Sequence, residues 1–114
     1  MTNFDQSKID RIVEVVADRI IDDAGDRTYR FGNKYIPYVL FNPVMVFDDC
    51  LALLESEWFR ERFDHYMLEW SREANLYYFY VYKLQSPVPI VGSALTPQEA
   101  VLNCIWKVIE SEGV

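Results

Sequence analysis

Six consecutive residues, Tyr77-Tyr78-Phe79-Tyr80-Val81-Tyr82, constrain this chain more than any other segment. Five aromatic rings and a β-branched residue in a row crowd a helix but fit the pleat of a strand. Alternation sends Tyr78, Tyr80 and Tyr82 to one face and Tyr77, Phe79 and Val81 to the other. Both faces are apolar. That predicts a central strand, covered on one side and partly covered on the other. Lys83 ends the run, and Pro87 and Pro89 stiffen a loop over 86–92. Thr96-Pro97-Gln98-Glu99 then reads as a helix start: Thr96 as cap, Pro97 in the first helical position, and Glu99 completing a capping box. Leu95 is placed to staple onto Ala100. Val101, Cys104, Ile105 and Val108 share one face, which Leu102, Trp106 and Ile109 widen, so the helix is expected to pack on a sheet. Gly113 lies past its end.

A strand cannot satisfy its backbone alone, so the aromatic run needs a neighbour. Residues 57–75 offer two readings. Phe59, Phe63, Tyr66, Met67 and Trp70 fit a helix. Tyr66, Leu68 and Trp70 also alternate as a strand, with 72–75 turning a hairpin into the aromatic run. The need for a partner favours the hairpin.

Upstream, Ile9, Ile12, Val13, Val16 and Ile20 mark one face of a first helix, with Ser7 as its cap and Gly25 at its C-terminal end. On that helix Asp18, Asp22 and Asp26, spaced by four, form an acidic stripe. Residues 27–41 read as extended. Gly32-Asn33 turns one strand into the next, and Pro37 makes the second piece an edge strand or loop. Asn42-Pro43 reads as the start of another helix, carried by Val44, Phe47, Leu51 and Leu54 to about Ser56. Together these elements predict a single-domain α+β sandwich over 1–114: an antiparallel sheet packed with about three α-helices.

At 114 residues, with 51% apolar side chains, the chain can bury one core. No apolar run reaches ~18 residues, so no membrane span is expected. The start Met1-Thr2-Asn3-Phe4-Asp5 lacks the pattern of a signal peptide. Cys50 and Cys104 sit in apolar helical patterns and read as core thiols of a cytoplasmic protein.

The net charge of −7 is unevenly spread. Residues 1–26 carry −4 and 48–73 carry −5. Between them, 27–47 hold Arg27, Arg30 and Lys34 with no acid, and 74–114 add −1. Such a chain is repelled by phosphate, which disfavours direct nucleic-acid binding. Chemistry is sparse. His65, beside Asp64, is the one histidine, and the isolated glycines build no phosphate loop. Asp48 and Asp49 are adjacent, so on a helix they point to different sides and suit the helix N-terminus better than a shared cation. No catalytic residue, metal ligand or cofactor is expected, and the chain reads as a non-enzyme.

One resemblance covers most of the chain. Tyr35-Ile36-Pro37-Tyr38 leading to Asn42-Pro43, the 48–54 helix, the aromatic strand and the ending Thr96-Pro97-Gln98-Glu99-Ala100-Val101-Leu102 are similar to the phage ABA-sandwich domain, a group of small bacteriophage proteins that resembles the phage NinX proteins. The charged segment 57–64 departs from that pattern. The resemblance implies a phage or prophage accessory protein in the host cytoplasm, and no reaction.

The leading expectation is therefore an acidic protein that binds a host protein, such as a defence nuclease with a basic groove. Asp18, Asp22, Asp26, Glu61 and Asp64 would make the contact. The alternative from another class is a small-ligand or nucleotide module, in which Arg27, Arg30 and Lys34 meet phosphates while a tyrosine stacks on the base. A third is a structural or regulatory homodimer formed through an uncovered aromatic sheet face.

Overall fold

The computed structural model describes residues 5–112. The Gly113 helix stop and the N-terminal residues 1–4 lie outside them. In chain order the elements are α1 (Gln6–Val16), β1 (Arg19–Asp23), β2 (Asp26–Phe31), β3 (Lys34–Pro37), α2 (Phe47–Ala52), α3 (Glu57–Arg62), β4 (Phe63–Ser71), β5 (Leu76–Lys83), β6 (Ile90–Ala94) and α4 (Pro97–Ser111). Short 3-10 turns cover Tyr38–Leu40 and Leu53–Glu55. The α+β class is as expected. The strands, however, form two antiparallel three-stranded sheets, ordered β1-β2-β3 and β4-β5-β6.

The second sheet follows the aromatic alternation. Phe79 and Val81 are buried on its inner face, where α4 packs across β5 and β6. The contact is close because position 92 is glycine. A Cβ there would lie 2.5 Å from the Ala100 carbonyl oxygen and 2.7 Å from the Cys104 Cα. The strand β6 falls within and beyond the 86–92 segment read as a loop, because pairing with β5, from Tyr77↔Ala94 to Val81↔Ile90, supplies its ladder. The Thr96 hydroxyl accepts from the Glu99 N–H at 3.2 Å and donates to the Glu99 carboxylate at 3.3 Å. Leu95 is exposed, so the expected staple onto Ala100 is not made.

Residues 57–75 combine both readings. The sequence Glu57–Arg62 forms one short helix, capped by Ser56, and Phe63–Ser71 forms the hairpin partner of β5. Asn75, at φ 56°, takes the left-handed position in the turn.

The first helix is shorter than its apolar spacing suggests. It ends at Val16, and its cap is Asp5, not Ser7. The Asp5 carboxylate accepts from the Lys8 N–H at 3.0 Å and from the Ser7 hydroxyl at 2.7 Å. Those bonds hold its pKa below the ordinary carboxylate value. From Arg19 the chain is a strand, and Ile20 pairs with Tyr29. Gly25, at φ +88°, sits with Ala24, at φ 51°, in the two-residue β1–β2 turn, not at a helix end. The Gly32-Asn33 turn and the edge position of β3, with Pro37, are as expected. Asn42-Pro43 does not start the second helix. Asn42 Oδ1 accepts from the Met45 N–H at 3.2 Å, closing an isolated turn, and α2 begins at Phe47.

One core joins these parts. Ile12, Val13 and Val16 of α1, Tyr29 and Phe31 of β2, Leu53, Phe59, and the inner face of α4 are all buried in it. At its rim Arg62 Nε donates to both oxygens of Glu112, at 2.9 and 3.1 Å, and its guanidinium lies 4.7 Å from the Trp58 ring. This ties α3 to the end of α4. No helix among the described residues is long and apolar enough to cross a membrane.

Candidate functional site

The sequence-derived acidic residues do not form one patch. Asp18 is half-buried between the helix α1 and the strand β1, and its carboxylate is fully engaged: Oδ2 accepts from the Gly32 N–H at 2.6 Å and Oδ1 from the Glu57 N–H at 2.8 Å. Asp22, on β1, is exposed and paired with Arg27 at 2.8 Å. Asp26 is exposed at the start of β2. The helical stripe of Asp18, Asp22 and Asp26 therefore does not exist, because two of the three lie on separate strands and the first is a structural clamp. Glu61 is exposed on α3, and Asp64 is exposed where the β4 register shifts between Phe63 and His65.

The basic residues are also dispersed. Arg27 and Arg30 have opposite parity on β2, so they leave from opposite faces of the first sheet. Asp22 raises the Arg27 pKa above its ordinary value. The Arg30 Nε is buried without a hydrogen-bond partner. Lys34, on β3, lies 3.9 Å from Glu55. The three cations do not converge on a common phosphate.

The strand that completes the expected hairpin is β4. It is an edge strand of nine residues. Every residue from Asp64 to Trp70 is exposed, among them Tyr66 at 48%, Met67 at 43%, Leu68 at 38% and Trp70 at 49%. Register assigns their faces, since directly opposed residues share one. Tyr66, Leu68 and Trp70 lie opposite Val81, Phe79 and Tyr77 on the inner face. There α4 packs on β5 and β6, while on β4 the Phe59 ring of α3 meets Tyr66 at 5.9 Å and Leu68 and Trp70 stay uncovered. His65, Met67 and Glu69 lie opposite Tyr82, Tyr80 and Tyr78 on the outer face.

That outer face is an aromatic platform. The rings of His65 and Tyr82 stack at 4.3 Å, 13° from parallel, and those of Tyr78 and Tyr80 stack at 6.3 Å. Crowding by its neighbours, and then the Glu69 carboxylate, push the Tyr80 phenol above its usual pKa. Where α3 meets the register shift, an open hollow of about 490 Å³ is lined by Leu54, Phe59, Arg60, Phe63, Asp64, His65 and Tyr66. Its walls mix aromatic rings with one cation, one carboxylate and an imidazole, which suits a side chain of a partner as readily as a small ligand.

No family model, curated protein or solved structure matches this chain.

Both cysteines are buried, and burial pushes each thiol up to about 12. At neutral pH both are protonated and play the part of small core residues. The described residues hold no cluster of three or more His, Cys, Asp and Glu side chains suited to a metal ion.

Proposed function

We propose that this chain acts by binding a protein partner, and that the β4–β5 surface makes the contact. The observation that carries this reading is the exposure of Tyr66, Met67, Leu68 and Trp70 along one strand, beside the tyrosine platform of β5. Tyrosine, tryptophan and methionine bury large area with few rotors to freeze, and they dominate the centres of protein interfaces. The resemblance to small phage proteins makes the partner a host protein. The net charge of −7 suits one with a basic surface, such as a defence nuclease. In this reading Asp22, Asp26 and Glu61 act from a distance, speeding encounter without forming the core of the contact, and Asp64 stands at the rim of the contact on β4.

The test compares three immobilised proteins in host lysate: wild type, the Tyr78→Ala/Tyr80→Ala variant, and the Asp22→Lys/Asp26→Lys variant. A host protein recovered by the wild type is expected to be lost from the tyrosine variant. The charge-reversed variant is expected to retain it at low salt, with weakened capture. Full retention by the tyrosine variant, with loss only on charge reversal, would return the contact to the acidic residues.

A further inference from the structure

We propose that two copies of this chain join antiparallel along their β4 edges, about a two-fold axis at Met67, to make one continuous six-stranded sheet. This goes beyond the binding of a host protein and does not depend on it.

The two edges of the second sheet are treated differently. Along β6, side chains of α4 occupy the outward carbonyls: Lys107 Nζ donates to Val91 O at 2.7 Å and Asn103 Nδ2 to Ser93 O at 2.9 Å. Pro89 precedes that strand. Along β4 nothing comparable is present among the described residues. Residues 65–70 contain no proline and no lysine, and the register shift at Phe63/His65 lies at one end of the strand. The edge does carry Asp64 and Glu69, but no side chain occupies its outward backbone groups among the described residues, and a long edge of that kind is a template for another strand.

The occupant is a second copy because β4 complements itself. With Met67 opposite Met67 of the other copy, Tyr66 faces Leu68, His65 faces Glu69 and Asp64 faces Trp70, twice over by symmetry. Moving the axis to Leu68 sets Met67 against Glu69 and leaves His65 against Ser71. Moving it to Tyr66 sets Asp64 against Leu68. Of the three axes, only the one at Met67 sets imidazole against carboxylate, and it keeps Tyr66 against Leu68 while placing Asp64 against Trp70 at the two ends of the seam, beside the register shift. It also gathers Tyr66, Leu68 and Trp70 of both copies on the inner face that α4 leaves open, and it aligns the two tyrosine platforms on the opposite face.

Light scattering over micromolar to millimolar concentrations tests the state. The expected mass is twice 13.5 kDa for the wild type. Met67→Lys sets like charges across the axis on an exposed position, and it is expected to yield the monomer mass with an unchanged circular dichroism spectrum. His65→Glu is expected to weaken the dimer, and adding Glu69→Lys to restore it, a rescue that a folding defect would not give. Met67→Cys is expected to form a disulfide between copies under mild oxidation, because directly opposed residues have Cα atoms ~4.5–5.5 Å apart. Both native thiols are buried and will not compete. A wild type at monomer mass throughout overturns the proposal, including when the edge instead takes a strand from another protein. So does a dimer that survives Met67→Lys.

Discussion

The carboxylate of Asp18 holds the backbone N–H of Gly32 at 2.6 Å, and with its other oxygen it reaches the N–H of Glu57. One side chain thus joins the entry to β1, the β2–β3 turn and the start of α3. Gly32 is bound on its other side too, since a Cβ there would lie 2.6 Å from the Glu55 carbonyl oxygen, and its φ is +62°. Hydrogen bonds to a charged acceptor contribute ~1.5–3 kcal/mol each, and partial exposure lowers that. Asp18→Ala should therefore destabilise the fold by about 2–3 kcal/mol. Asp18→Asn, which keeps one acceptor, should lose about half as much. Asp22→Ala, removing an exposed ion pair, should change stability by less than about 1 kcal/mol. Urea unfolding of the three variants checks the order. Equal effects at Asp18 and Asp22 would contradict the clamp.

Gly92 and Gly25 should fail for different reasons. At Gly92 the backbone of α4 fills the space a Cβ needs, so Gly92→Ala must part α4 from β6, at about 3 kcal/mol or more. At Gly25 nothing lies within 4 Å, and the penalty of Gly25→Ala is only that of a side chain at φ +88°, about 1–2 kcal/mol. Thermal melts separate the two, and the larger loss belongs to Gly92→Ala. Reversal of that order would mean that α4 does not sit this close to β6.

The two core thiols make stability fall in alkali. Their folded pKa values, each about 12, lie above the unfolded value of ~8.5. The folded chain then holds protons that the unfolded chain has released. The contribution is fully present below about pH 8.5 and is lost as pH climbs toward 12, by up to ~2 kcal/mol per thiol at pH 10. Unfolding free energies at pH 8 and pH 10 should show the fall, and the Cys50→Ala/Cys104→Ala variant should flatten it. A slope identical in wild type and variant would place the loss on other groups.

Legibility from sequence followed the range of the interactions. The capped start of α4, the two-faced aromatic strand and the Gly32-Asn33 turn rest on contacts within a few residues, and all three appear in the structure. The extent of α1 is not legible locally, because Ile20 satisfies a helical spacing from Ile9 while its actual partner, Tyr29, lies across a strand pair. The acidic stripe fell with that helix. The candidate surface had a signal, the alternation of Tyr66, Leu68 and Trp70, but its exposure had none, since apolar alternation ordinarily marks a covered face.

By itself, then, the order of residues determined where the aromatic strand runs, how the last helix begins and that the fold mixes helices with antiparallel strands. These are matters of local sterics, capping and the two-residue period of a pleat. Only the tertiary structure decided that the strands divide into two sheets, that Asp18 is a clamp, and that α4 stops short of β4. Each of these depends on which distant segments pair and how far one helix can reach across a sheet. The aromatic run that most constrains the chain is half core and half platform, and the strand beside it, bare along its edge, is where a partner has room to bind.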